Sequence, residues 1–272
     1  MPYYTQCVNN YMDKEVFFIN GMPRSGSTLL CNILAQNPDF HTTPTSGLSD
    51  IVSNINHMWH QNPTIKASEP PEKQLRVIKD LIQSYHSDTD RPVVFNKSRG
   101  WCSLIELIEM STEKPIKILT TIRSLPCIIA SFEKLYRKEL KNISSPMQRT
   151  QEMSIMSTRI NAWTNGVVGS TFNTIQDAFL RGHKSKFHFI DYEELTTSPE
   201  IAMRGVYEFL EKPYFDHDFN NVVQYTFEKD IEHGFTDLHT IRPVIKPQVD
   251  DSREILGPLY DNLTGFHYDF HG

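Results

Sequence analysis

The feature that most limits what this chain can fold into lies within residues 15–28. There an apolar run (E-V-F-F-I-N) leads directly into Gly21-Met-Pro-Arg-Ser-Gly-Ser-Thr28. Nearly continuous apolar runs of this length suit strands buried on both faces, the strands of parallel sheets. Behind the loop, Leu29, Leu30, Ile33 and Leu34 recur on one helical face until Asn37-Pro38, so the spacing predicts a helix over residues 27–36. Strand, glycine loop and helix in this order aim consecutive backbone N–H groups and a helix N-terminus at one point, which suits an anion. Gly21 and Gly26 permit close backbone approach, Ser25, Ser27 and Thr28 add hydroxyl donors, and Arg24 adds positive charge. The glycine spacing is P-loop-like, with one change: Ser27 stands where the nucleoside triphosphatases carry a lysine. That lysine reaches the outer phosphates of a triphosphate, so its absence counts against a nucleotide kinase or phosphotransferase.

Beyond the loop, short apolar runs alternate with helical stretches. Residues 92–96, 116–122 and 187–190 read as strands, and residues 72–86, 126–141 and 199–210 as helices. A long helical stretch over 148–181 is expected to break near Asn165-Gly166. Residues 41–49 read as loop, and the chain from about Asp230, with Pro243, Pro247 and Pro258, as irregular. This alternation predicts an α/β fold of three layers, with a mainly parallel sheet, the first strand central and helices on both faces. At 272 residues, one domain over 1–272 is expected. Apolar residues at 39% support a packed core, while a net charge of −6 excludes a general nucleic-acid or membrane-surface partner. Any anion site must then be a local basic pocket. No apolar run approaches the ~20 residues of a membrane span, and residues 1–10 lack a signal-peptide pattern. Cys7, Cys31, Cys102 and Cys127 are scattered, without metal-ligand spacing, so reduced thiols, no metal and a cytoplasmic location are expected.

The P-R-S-G-S-T core of the loop resembles the 5′-phosphosulfate loop of sulfotransferases, in particular tyrosylprotein sulfotransferases and related bacterial enzymes. Thr121-Ile-Arg123, with Ser131 on the following helix, resembles the 3′-phosphate site of that family. An arginine at a strand end can give two parallel hydrogen bonds to a phosphate, and the serine can add a hydroxyl. Phe95-Asn-Lys-Ser98 resembles the strand end whose lysine sits beside the transferring group, and Ile190-Asp-Tyr-Glu-Glu-Leu195 the segment whose tyrosine, here Tyr192, contacts the nucleotide. Ile245-Lys246-Pro247 resembles a loop lysine that closes over the cofactor.

The resemblance implies transfer of a sulfuryl group from 3′-phosphoadenosine 5′-phosphosulfate (PAPS) to a hydroxyl or amine acceptor, in line and without metal. The product nucleotide would be 3′-phosphoadenosine 5′-phosphate (PAP). It assigns Arg24, Ser25, Gly26, Ser27, Thr28, Arg123, Ser131, Tyr192 and Lys246 to the nucleotide, and Lys97 with Arg24 to catalysis. The acceptor could be a small molecule, carbohydrate, lipid or peptide. Where the tyrosylprotein enzymes carry G-E-E-T, this chain has Thr43-Pro-Thr-Ser-Gly47, with no carboxylate before Asp50. Asp50 is therefore the expected base, with His41, His57 and His60 as further candidates. The competing functions are a nucleotide kinase, whose binding would need magnesium, and a non-catalytic nucleotide binder.

Overall fold

In the computed structural model, which describes residues 13–141, 152–264 and Phe270, the apolar run forms strand β1 (Glu15–Gly21), buried from Phe17 onward. Helix α1 (Ser27–Leu34), strand β2 (Phe40–Thr45) and helices α2 (Leu48–Gln61), α3 (Pro63–Ser68) and α4 (Pro71–Tyr85) follow. Strand β3 (Val93–Lys97) continues into a 3-10 turn (Arg99–Ser103) and helix α5 (Ile105–Thr112). Strand β4 (Ile118–Ile122) leads into helix α6 (Leu125–Lys141). Helices α7 (Met156–Trp163) and α8 (Gly169–Leu180) meet at a π-helical stretch whose Gly166 leaves helical geometry (φ −86°, ψ −117°), at the expected break. Strand β5 (Phe187–Asp191), helices α9 (Tyr192–Thr197) and α10 (Pro199–Leu210), and the short helices α11 (Ser252–Leu256) and α12 (Asp261–Thr264) complete the order. Cys7 and the first residues of the expected helix 148–181 lie outside the described residues.

The five strands form one parallel sheet in the order β2-β3-β1-β4-β5, with β1 central as expected. Successive β1 side chains point to opposite faces and meet different helices. Phe17 and Ile19 pack with Leu30, Ile33 and Leu34 of α1 and with Met203, Val206 and Tyr207 of α10. Phe18 and Met22 pack with Leu48 of α2, Ile78 and Ile82 of α4, and Ile128 and Ile129 of α6. Each fully buried side chain of this size contributes about 1.5–3 kcal/mol, so both faces hold the sheet and three layers result.

Residues 41–49 are not loop: they form most of β2 and the start of α2. The strand was hidden by its threonines and Pro44, neither of which reads as a buried run. It is an edge strand, and its pairing with β3 shifts register between Thr42 and Thr45, a place that tolerates proline. Chain connections leave β1 toward β2 and leave β4 toward β5, so the sheet has its switch point between β1 and β4. In open parallel sheets, ligands bind beyond the carboxyl ends of the strands at such a point.

Candidate active site

The Gly21–Thr28 loop lies at this switch point. A Cβ on Gly21 would overlap Thr121 Oγ1 of β4, so glycine is required for the strands to approach. Arg24 (φ 60°) and Gly26 (φ 91°) take left-handed backbone conformations, which turn loop N–H groups to one side. A Cβ on Gly26 would lie 2.8 Å from Tyr192 Cδ2. Helix α1 starts here with no side-chain cap and no acidic residue in its first turn. Its first N–H groups therefore keep their hydrogen-bonding capacity for an anion. Ser25 differs from expectation. Its hydroxyl is fully buried and bonds Met22 O at 2.5 Å, Thr121 O at 2.9 Å and Thr121 Oγ1 at 2.6 Å. It shapes the loop against β4 instead of offering its hydroxyl to the cleft.

Two arginines and a serine converge beside the loop. Arg24 Nε donates to Ser131 Oγ of α6 at 3.1 Å, and Arg24 Nη1 donates to Leu238 O. Arg123 Nη1 donates to Arg24 O at 3.3 Å, and its guanidinium lies 4.1 Å from the Tyr192 ring centre. Arg123 Nε is buried without a hydrogen bond; its ion-pair partner Glu193 Oε1 is 3.5 Å away. Burial, and then the charge of Arg123, lower the pKa of Arg24 from its ordinary value. Two like charges with unspent donors are the arrangement a phosphate or sulfate would satisfy.

Lys97 ends β3, with Ile19 of β1 beside it, and only 6% of its surface is exposed. Its Nζ donates to Thr28 Oγ1 at 3.3 Å and to Glu228 Oε1 at 3.0 Å. The same Oε1 accepts from Thr45 N at 2.8 Å and Thr45 Oγ1 at 3.0 Å. Burial pushes the Glu228 carboxyl upward, but Lys97, the Thr45 N–H and His239 outweigh it and leave the pKa lowered. His239 Nδ1 lies 2.6 Å from Asp230 Oδ1 and 3.3 Å from Glu228 Oε2. Burial lowers the His239 pKa despite these carboxylates, which keeps the ring neutral near pH 7.

Arg24, Lys97, Arg123 and His239 line one cavity of about 790 Å³, which also takes in Asp50, Arg99 and Lys246, while Glu228 and Asp230 support it from behind Lys97 and His239. Asp50 is exposed in the first turn of α2. Lys246 is exposed at the rim, where Ile245 N donates to Phe219 O at 3.1 Å and holds the irregular stretch in place. Ser27, Thr28, Ser131 and Tyr192 line the cavity, whereas His41, His57 and His60 do not. His41 sits toward the amino end of the sheet, near Asp88 and Arg91. His57 and His60 lie on α2 beyond the reach of the cleft. The sequence reading missed Glu228, Asp230 and His239, which lie in the irregular chain after α10. The only available signal was the density of titratable side chains between Glu228 and His239.

A model of the sulfotransferase family matches residues 17–216. The chain belongs to the sulfotransferase family. The sulfotransferase domain from the Synechococcus PCC 7002 olefin synthase has the same fold: TM-score 0.55, 17% identity, 95% of this chain and 98% of that one covered. The sulfotransferase domain from the curacin biosynthetic pathway gives a TM-score of 0.50 at 17% identity, covering 91% of this chain and 98% of its own. A search among curated proteins gave no match. The family match ends before Glu228 and His239.

Proposed function

We propose that this sulfotransferase takes its sulfuryl group from PAPS and delivers it in line, without metal, to a hydroxyl or amine acceptor. The acceptor is a small molecule, carbohydrate, lipid or peptide. The carrying observation is that one cavity holds two separate anion cradles, the uncapped N-terminus of α1 and the Arg24–Arg123–Ser131 group. The nucleotide supplies an activated sulfuryl group with a phosphate as leaving group, so the protein's work is orientation and charge balance. The N–H groups and hydroxyls of Ser27 and Thr28 hold the 5′-phosphate, and Arg123 with Ser131 holds the 3′-phosphate. Tyr192 packs against the nucleotide and Lys246 closes from the rim. Lys97, already 3.3 Å from Thr28 Oγ1, balances charge on the leaving oxygen together with Arg24.

For the acceptor proton, His239 is better placed than Asp50. Its Nδ1 proton is held by Asp230, which leaves the Nε2 lone pair to act as base, and the ring is neutral near pH 7. Asp50 lines the same cavity, but among the described residues no hydrogen bond or ion pair orients its carboxylate. Cys31, Cys102 and Cys127 are buried free thiols, which supports a reducing, cytoplasmic setting. The decisive experiment compares thermal shifts. PAP at ~100 times its Kd should stabilise the chain by about 2.7 kcal/mol, far more than ATP with magnesium. Arg123→Ala should erase the preference for PAP over adenosine 5′-phosphate. Equal shifts with ATP and magnesium would return the chain to the kinase alternative.

A further inference from the structure

We propose that Glu228, His233 and His239 form a binding site for a divalent transition metal of the zinc class, and that its occupation shuts off sulfuryl transfer. One donor atom from each of the three lies within 4.8 Å of the others. Glu228 Oε2 is 3.3 Å from His239 Nδ1 and 3.7 Å from His233 Nε2. Ligand atoms about 2.1 Å from a tetrahedral ion stand about 3.4 Å apart, so both separations match edges of a zinc coordination sphere. The 3.7 Å separation is too long for a hydrogen bond. His233 is therefore placed beside the carboxylate without one.

The two oxygens of Glu228 are divided in a way that suits a ligand. Oε1 takes Lys97 and both Thr45 donors, which fixes the carboxylate in a side chain only 7% exposed. Oε2 faces the two imidazoles alone among the described contacts. Asp230 holds His239 twice, through its backbone N–H at 3.0 Å and through Nδ1 at 2.6 Å, so an ion takes Nδ1 by displacing the second of these bonds while the first keeps the residue in place. Two imidazoles with one carboxylate suit zinc, cobalt or nickel, whereas magnesium and calcium demand oxygen ligands. Half of the His233 side chain is exposed, which gives an ion a route in.

Occupation would disable the machinery described above, and this half of the proposal rests on the sulfotransfer reading. Coordination at Nδ1 breaks its hydrogen bond to Asp230 and moves the ring proton of His239 to Nε2, where the base needs its lone pair. The ion also draws on the carboxylate that holds Lys97. Ordinary turnover thus belongs to the metal-free chain, in keeping with the metal-free transfer expected from sequence.

The test uses the full chain without a histidine tag. Calorimetric titration with zinc should show one equivalent bound, and cobalt should give the intense visible bands of a tetrahedral site. Magnesium and calcium should give neither signal. His233→Ala alters an exposed side chain and should weaken zinc binding at least tenfold. No stoichiometric binding, or binding unchanged in His233→Ala, would overturn the site, since the chain has 11 histidines that could bind weakly elsewhere. Zinc should also lower kcat in the wild type and do so far less in His233→Ala. Binding with undiminished turnover would overturn the inhibition alone. Calorimetry reads the site even if the donor assignment fails.

Discussion

Replacing Lys97 with alanine separates the structural role of this side chain from the catalytic role proposed for it. Lys97 and Glu228 are paired at 3.0 Å with side chains each 7% exposed. Removing one partner of a buried pair costs about 3–5 kcal/mol, because the other charge stays buried. Here Thr45 and His239 still contact Glu228, so the lower end of that range applies. For a chain of this size the melting temperature should fall by on the order of 10 °C. Turnover should fall by about 10²–10³, the cost of one charge-stabilising donor, with PAP affinity nearly unchanged. Adding Glu228→Gln removes the orphaned charge and should restore much of the melting temperature, but none of the rate. Differential scanning fluorimetry, PAP titration and single-turnover assays with labelled donor read the three quantities. If the double variant regains turnover along with stability, Lys97 acts only in folding, and charge balance falls to Arg24 or Lys246. Unaltered turnover in the single variant would refute the catalytic role directly.

Three other outcomes follow from the same geometry. Gly26→Ala forces a side chain into φ 91° and against Tyr192, so it should cost about 1–3 kcal/mol and abolish PAP-induced thermal shifts. Asp50→Asn should leave kcat within a few-fold while His239→Asn loses on the order of 10², the typical worth of a positioned base; the reverse pattern would move the base to Asp50. The lowered pKa of Glu228 means its contribution to stability is complete above the ordinary value of 4.5 and is lost as pH falls through the lowered one. Chemical denaturation between pH 6 and the acid limb should therefore show a shallower loss in Glu228→Gln than in the wild type.

The β1–loop–α1 unit was legible because its signals are local: a run of buried side chains, two glycines and a helical apolar stripe. Arg123 and Ser131 were legible by resemblance, and the cavity brings both to Arg24. Strand β2 was not, because Thr42 and Thr43 become buried only through pairing with β3, a long-range event that leaves no alternation in the sequence. Helix α2 was legible as a start near Asp50 but not as a range: only Leu48, Ser49 and Val52 are fully buried, and Ile51 and Met58 stay exposed, so apolar residues fall on more than one of its faces. Glu228 reaches Lys97 and Thr45 across most of the chain, from a stretch with no helical or strand period. Ser25 shows the opposite limit, since its residue type suggested a phosphate donor while its surroundings had already claimed the hydroxyl.

The Arg24–Arg123 contact also bears on what surrounds the protein in solution. Two guanidiniums facing one cleft, one with its basicity lowered by burial and by the other, repel until an anion comes between them. Any oxyanion can do part of that work, so sulfate and inorganic phosphate should firm up the resting chain more than chloride at equal ionic strength. The same ions would compete for the ground on which the nucleotide lands. Wherever inorganic phosphate is abundant, the donor must displace a background occupant, and its effective affinity is set by that exchange.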